Sequence, residues 1–143
     1  MRLHPVAPLL LPHKATEDGV EIGGYVVPKS STVLFNSWAI MRDTKLWERP
    51  DEFVPEKFVD TLREVDFRGS KEFDFLPFGT GQRQCPGLPM AERVVPHVLA
   101  SLLHALEWRL PDGVTAEQLD LSERFTTVNC LAVPLKAVPI VIS

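Results

Sequence analysis

The sequence is poor in cysteine and has no long apolar run, and each shortage removes a class of protein. Cys85 and Cys130 are the only cysteines. Two cannot build a disulfide framework, and their use fits a reducing compartment. Their separation matches no zinc-ligand spacing. No stretch approaches the roughly 20 apolar residues of a membrane span, since residues 6–11 are few and Pro8 interrupts them. The first residues lack the charged-then-apolar layout of a secretory leader. Basic residues are scattered, do not interleave with aromatics and leave a formal charge of −4. Nucleic acid is therefore not an expected partner. Internal repeats and low-complexity segments are lacking as well.

What is present describes one ordinary globular domain: 143 residues, 45% of them hydrophobic, enough to bury a core. The 13 prolines exceed the usual share of roughly 5%, so much of the chain is expected to be irregular. Residues 3–12 alternate prolines with aliphatics and are expected to be extended. Val20-Glu21-Ile22-Gly23-Gly24-Tyr25-Val26-Val27 predicts a hairpin around its two glycines. A further strand is expected over 32–36 and a brief helix over 38–41. Residues 43–77 show no period, yet Trp47, Phe53, Phe58, Phe67, Phe73 and Phe75 run through them, which argues for packing over a disordered linker.

The clearest helix covers 88–106, where Ala91, Val94, Val95, Val98, Leu99, Leu102 and Leu106 recur at helical spacing. Pro89 suits its first turn; Pro96, inside it, costs about 3 kcal/mol or forces a kink. Pro111-Asp112-Gly113 reads as a turn. Residues 126–141 alternate well enough for a last β-hairpin with Pro134 near its turn or an edge. Cys130, in this apolar tail, reads as a small buried hydrophobe.

The most informative segment is Phe75-Leu76-Pro77-Phe78-Gly79-Thr80-Gly81-Gln82-Arg83-Gln84-Cys85-Pro86-Gly87. A thiolate in a glycine-bent loop at a helix N-terminus is stabilised by the dipole and by unpaired N–H groups. It is then a candidate metal ligand or nucleophile. Gly81 and Gly87 permit backbone conformations closed to other residues and leave room for a flat ligand. Amides just past Cys85 can donate to its sulfur. Arg83 is a permanent cation able to grip a carboxylate, and Phe78 can cover the sulfur side. The competing reading is a glycine-rich turn with an inert thiol.

Phe78-x-x-Gly81-x-Arg83-x-Cys85-x-Gly87 resembles the haem-binding signature of the cytochrome P-450 monooxygenases at every defining position. Phe53-Val54-Pro55-Glu56-Lys57-Phe58 resembles that family's meander motif, with Lys57 where an arginine is usual. Arg2-Leu3-His4-Pro5 resembles the end of its K-helix, and Arg2 matches the arginine there. Asn36-Ser37-Trp38-Ala39-Ile40-Met41-Arg42-Asp43 and Cys85-Pro86-Gly87-Leu88-Pro89 are similar to plant microsomal members, near a terpenoid-hydroxylating, geraniol-hydroxylase-like group.

The resemblance implies an α+β fold, mainly α in the full-length family. Residues 1–143 would be one partial domain, truncated at the N-terminus: the K-helix end, β-hairpins, meander, Cys loop, L-helix and terminal hairpin. Haem, iron protoporphyrin IX, would be the cofactor, with Cys85 as its axial ligand. Phe78, Gly81, Arg83 and Gly87 would form the cradle, Arg83 pairing with a propionate. His13 matches a position that in many members also reaches a propionate; otherwise it is a polar residue at a strand end. Val6, Ala7, Leu9 and Leu10, with Thr127, Val128 and Asn129, align with substrate-lining segments, where apolar residues could equally be plain core. Arg2, Glu56 and Lys57 would be structural, with a salt bridge between Glu56 and Arg2, and Lys57 gives a weaker lock than the planar arginine. His4, His97 and His104 read as surface groups.

In function the resemblance implies a monooxygenase inserting one oxygen atom of O2 into a small apolar plant metabolite. Electrons would come from an NADPH-cytochrome reductase. The full-length protein would sit on the cytoplasmic face of the endoplasmic reticulum membrane, held by an N-terminal anchor that these residues do not include. The distal oxygen-activating helix would also lie outside them. A non-catalytic haem-binding fragment or a pseudogene product is the alternative.

Overall fold

Pro5, Pro8 and Pro12 remove backbone donors from the start of the chain, and regular structure begins only after them. The computed structural model describes residues 1–59, 67, 73–126 and 128–142. They divide into two units, Met1–Gln84 and Cys85–Ser143.

In the first unit β1 (His13–Lys14), β2 (Val20–Ile22), β3 (Tyr25–Val27) and β4 (Thr32–Val33) form two small antiparallel pairs, β1 with β4 and β2 with β3. The expected hairpin is present, with Val20 opposite Val27. Gly23 and Gly24 turn it at φ of 56° and 84°, the double left-handed conformation of a tight hairpin turn. The strand expected over 32–36 stops at Val33. Its partner β1 is only two residues long, and Asn36 is used to cap the next helix. That helix, α1 (Ser37–Ile40), starts where the Ala39 amide donates to the Asn36 side chain at 2.9 Å. The Ser37 hydroxyl is fully buried and donates to the Ala7 and Pro8 carbonyls at 3.1 and 3.0 Å, tying α1 to the proline-rich opening.

The core of this unit is Met41, Trp47 and Phe75, with Phe58 and Phe67 packed against them. Ring centroids lie 5.9 Å apart for Trp47 and Phe58 and for Phe58 and Phe75, within the range of favourable aromatic pairs. Four of the six aromatics in the aperiodic stretch therefore pack as expected. Phe53 and Phe73 do not; both are exposed.

Arg2 is buried in this unit and lies 4.8 Å over the Trp47 ring. Its guanidinium donates to the Met41, Pro50 and Glu52 carbonyls at 2.9, 2.7 and 3.3 Å. The expected salt bridge to Glu56 is thus replaced by bonds to backbone. Burying a carboxylate beside the arginine would cost the desolvation of both ions, whereas the carbonyls are already there. Lys57, in the 3-10 turn Pro55–Phe58, donates to the Arg49 carbonyl at 3.1 Å and to that of Glu48. The two cations therefore hold one short segment, 48–52, by its carbonyls.

The second unit opens with α2 (Leu88–Ala105) and continues through β5 (Leu106–Arg109), β6 (Glu123–Phe125), β7 (Asn129–Leu131) and β8 (Val138–Val141). The helix ends one residue before the expected limit because Leu106 enters β5. Pro96 lies inside it, as read. The Trp108 indole donates to the Leu102 carbonyl at 3.3 Å, satisfying one of the acceptors a helix end leaves over. The apolar stripe keeps the expected spacing, but within this unit Val94, Val98 and Leu102 remain exposed.

The expected tail hairpin is not formed. β7 folds back on β6, and β8 pairs with β5, Leu106 opposite Val141 and Trp108 opposite Pro139. An alternating pattern marks strands but not their partners, and Pro134 lies in the irregular stretch between β7 and β8. Cys130 is exposed, against expectation, and its thiol donates to the Arg124 carbonyl at 3.6 Å across the β6–β7 pair. In a two-stranded ribbon one face stays open, so an apolar neighbourhood in sequence does not bury it.

Candidate functional site

The loop before Cys85 is set by glycines with left-handed backbones. Gly79 has φ 70° and Gly81 φ 72°, a conformation costing other residues roughly 1–2 kcal/mol. Gly79 is buried, and a Cβ there would meet Leu10 Cδ1 at 3.7 Å. Upstream, the Trp47 indole donates to the Asp74 carbonyl at 3.2 Å and the Gly79 amide to the Leu76 carbonyl at 3.2 Å. Phe78 is half-buried and meets Phe67 edge-on at 6.2 Å.

A 3-10 turn, Gly81–Arg83, follows. Arg83 is exposed at its end. Gln84 closes the turn, its amide donating to the Gly81 carbonyl at 3.1 Å and its side-chain Nε2 to the Gly79 carbonyl at 3.3 Å.

In the second unit the Cys85 thiol is exposed, two residues before the Gly87 N-cap of α2. Pro86 carries no N–H, so the first amide past the thiol belongs to Gly87. The Gly87 carbonyl accepts from Met90 and Ala91 at 3.1 and 3.0 Å, fixing the turn into the helix. The expected special backbone holds for Gly81 but not Gly87, whose φ is −80°. A Cβ there would lie 3.7 Å from Cys85 Sγ, at ordinary contact distance.

Other residues read as site candidates are spread along both units. His13 is half-buried in β1, edge-on to Phe35 at 5.2 Å. Val6 and Leu9 are exposed, while Ala7 and Leu10 are half-buried, Leu10 with φ 52°. Val128 is exposed and Asn129 half-buried opposite Phe125; Thr127 lies outside the described residues. His4, His97 and His104 are exposed. Sequence reasoning passed over Ser37, Trp47 and Gln84 as positioning groups. Only the place of Gln84 beside the cysteine could have flagged one of them, because hydrogen bonds to distant carbonyls leave no pattern in sequence.

The donor set suits a thiolate-ligated iron porphyrin. It offers one exposed thiol, a guanidinium two residues before it for a carboxylate, and no side chain at Gly87 to crowd the sulfur. No group of three His, Cys, Asp or Glu that could hold an ion occurs among the described residues; a porphyrin brings its own nitrogens and asks for one axial ligand.

Comparison with known proteins agrees. The sequence model of the family Cytochrome P450 matches residues 1–131. The chain is 70% identical over 143 residues to Cytochrome P450 76M5 of Oryza sativa subsp. japonica, covering 100% of this chain and 28% of that protein. It is 48% identical over 138 residues to geraniol 8-hydroxylase of Swertia mussotii, covering 96% of this chain and 27% of that one. A zebra fish cytochrome P450 solved with progesterone superposes with a TM-score of 0.78 at 33% identity, over 98% of this chain and 29% of that chain. The chain thus spans less than a third of these relatives, and the matches take in nearly all of this chain. It belongs to the cytochrome P450 family, with the partial α+β fold of that family's C-terminal portion.

Proposed function

We propose that this chain is the ligand-bearing portion of a haem-dependent monooxygenase that inserts one oxygen atom of O2 into a small apolar, terpenoid-like plant metabolite. The observation that carries the reading is the loop of residues 78–87. Two left-handed glycines and a closed 3-10 turn lead to an exposed thiol at the foot of α2.

Cys85 would hold the haem iron through its thiolate. Gly87 would leave the sulfur approachable, Arg83 would hold a propionate, and Phe78 would shield the sulfur side. Haem, when bound, supplies the oxygen chemistry, for which a thiolate ligand favours O–O cleavage. His13 is proposed at a second propionate. Val6, Ala7, Leu9 and Leu10 are proposed to line the substrate pocket, as are Thr127, Val128 and Asn129. The relative named geraniol 8-hydroxylase supports a terpenoid-like substrate. Electrons are proposed to come from an NADPH-cytochrome reductase and the whole protein to work at the endoplasmic reticulum membrane, both on family grounds. No helix among the described residues is long and apolar enough to cross a membrane.

The test is the absorption spectrum of the haem-loaded chain, reduced and bound to carbon monoxide, beside Cys85→Ser. A strongly red-shifted Soret band that vanishes in the variant is expected. Identical spectra would remove Cys85 as the ligand.

A further inference from the structure

We propose that Gln84 is a positioning residue for the Cys85 ligand, acting through the carbonyl of Gly79. The proposal rests on the haem-thiolate reading and adds a residue to it.

Gln84 is where the chain leaves the 3-10 turn Gly81–Arg83: its φ of −54° and ψ of 151° turn the backbone from helical to extended. The next peptide bond is the one to Cys85, so the torsions at Gln84 set the direction in which that bond departs. Two donations anchor Gln84 itself to the preceding turn. The Gln84 amide reaches the Gly81 carbonyl, and its side-chain Nε2 reaches back five residues to the Gly79 carbonyl. Both acceptors belong to left-handed glycines, the positions with the widest backbone freedom in the loop. Gln82 and Arg83 are exposed, whereas Gln84 is half-buried. Its side chain thus acts as a brace across the two glycines, limiting the loop to one conformation before the ligand. A site that must hold one atom at one place depends on such support.

The experiment compares wild type, Gln84→Met and Gln84→Lys as haem-loaded chains, reduced under carbon monoxide. Methionine keeps the length of the side chain and loses the donor; lysine restores a donor able to reach the carbonyl. The fraction of the complex lacking the thiolate signature is expected to rise about fivefold in Gln84→Met, the factor one hydrogen bond commands. Haem uptake and thermal midpoint should stay near wild type, and Gln84→Lys should recover most of the signature. A methionine variant with the wild-type fraction overturns the proposal and leaves the haem-thiolate reading standing. Equal loss in both variants overturns it too, since the donor would not be the cause. A wild type without a signature that Cys85→Ser removes overturns that reading, and this inference with it.

Discussion

The indole N–H of Trp47 donates to the Asp74 carbonyl at 3.2 Å, at the start of the segment that leads to Cys85. The same ring carries Arg2 above it at 4.8 Å. One side chain therefore joins the opening of the chain, the aperiodic middle and the beginning of the ligand loop, all within the first unit.

Trp47→Phe keeps most of the buried ring and removes the donor. We expect it to destabilise the chain by about 1 kcal/mol. Trp47→Ala, which also empties the core between Met41 and Phe75, should cost about 3–5 kcal/mol. Urea unfolding followed by near-ultraviolet circular dichroism measures both. Equal losses would mean that the hydrogen bond and not the ring holds the unit.

Arg2→Met takes a buried cation from three carbonyls and should cost about 2–4 kcal/mol. Arg2→Lys should fall between, because an ammonium cannot fork across separate acceptors as a guanidinium does. Burial, then the neighbouring Arg42, holds the Arg2 pKa below its ordinary value, yet the group stays charged throughout the accessible range. The loss should therefore be the same at pH 6 and pH 8, and a pH-dependent loss would count against bonding to neutral carbonyls.

Gly81 and Gly87 share a motif but should fail differently. Gly81→Ala strains a left-handed backbone and is expected to lower stability by roughly 1–2 kcal/mol. Gly87→Ala meets no such strain and should cost less than about 1 kcal/mol, while its methyl sits beside Sγ and weakens haem uptake. Thermal melts paired with haem titration separate the two; a Gly87→Ala chain with unaltered haem affinity would refute the spatial role.

Asp120 offers a pH test. The Ser122 hydroxyl, and then its amide at 2.8 Å, hold the Asp120 carboxyl below its usual value. A carboxylate depressed on folding adds stability above its unfolded pKa, about 3.9, and that stability is lost as pH falls through the folded value. Ser122→Ala should move the Asp120 midpoint upward in a carboxyl NMR titration. A midpoint that stays put would assign the shift to something other than Ser122.

Some elements were legible in the sequence because their cause is local. Gly23 and Gly24 between β-prone runs dictate a hairpin, and apolar residues from Ala91 to Leu102 dictate a helix. The family signature from Phe78 to Gly87 was legible too, since its residue types and spacing are the signal. The pairing of the tail was not legible, because alternation in 126–141 does not say that β8 will find β5 and β7 will find β6. The exposure of Cys130 was hidden for the same reason: which face of a strand is covered depends on its partners.

The sequence by itself therefore determined the hairpin, the long helix and the order of groups around Cys85, all set by contacts a few residues apart. Only the tertiary structure decided that Arg2 would bind the carbonyls of Met41, Pro50 and Glu52 in place of Glu56. It alone placed Trp47 on Asp74 and gave Gly87 an ordinary backbone with its Cβ position beside Cys85 Sγ. Backbone carbonyls are the same at every residue, so a sequence cannot record which of them a distant donor will reach. That choice is made when the chain folds back and burial makes an unpaired polar group costly.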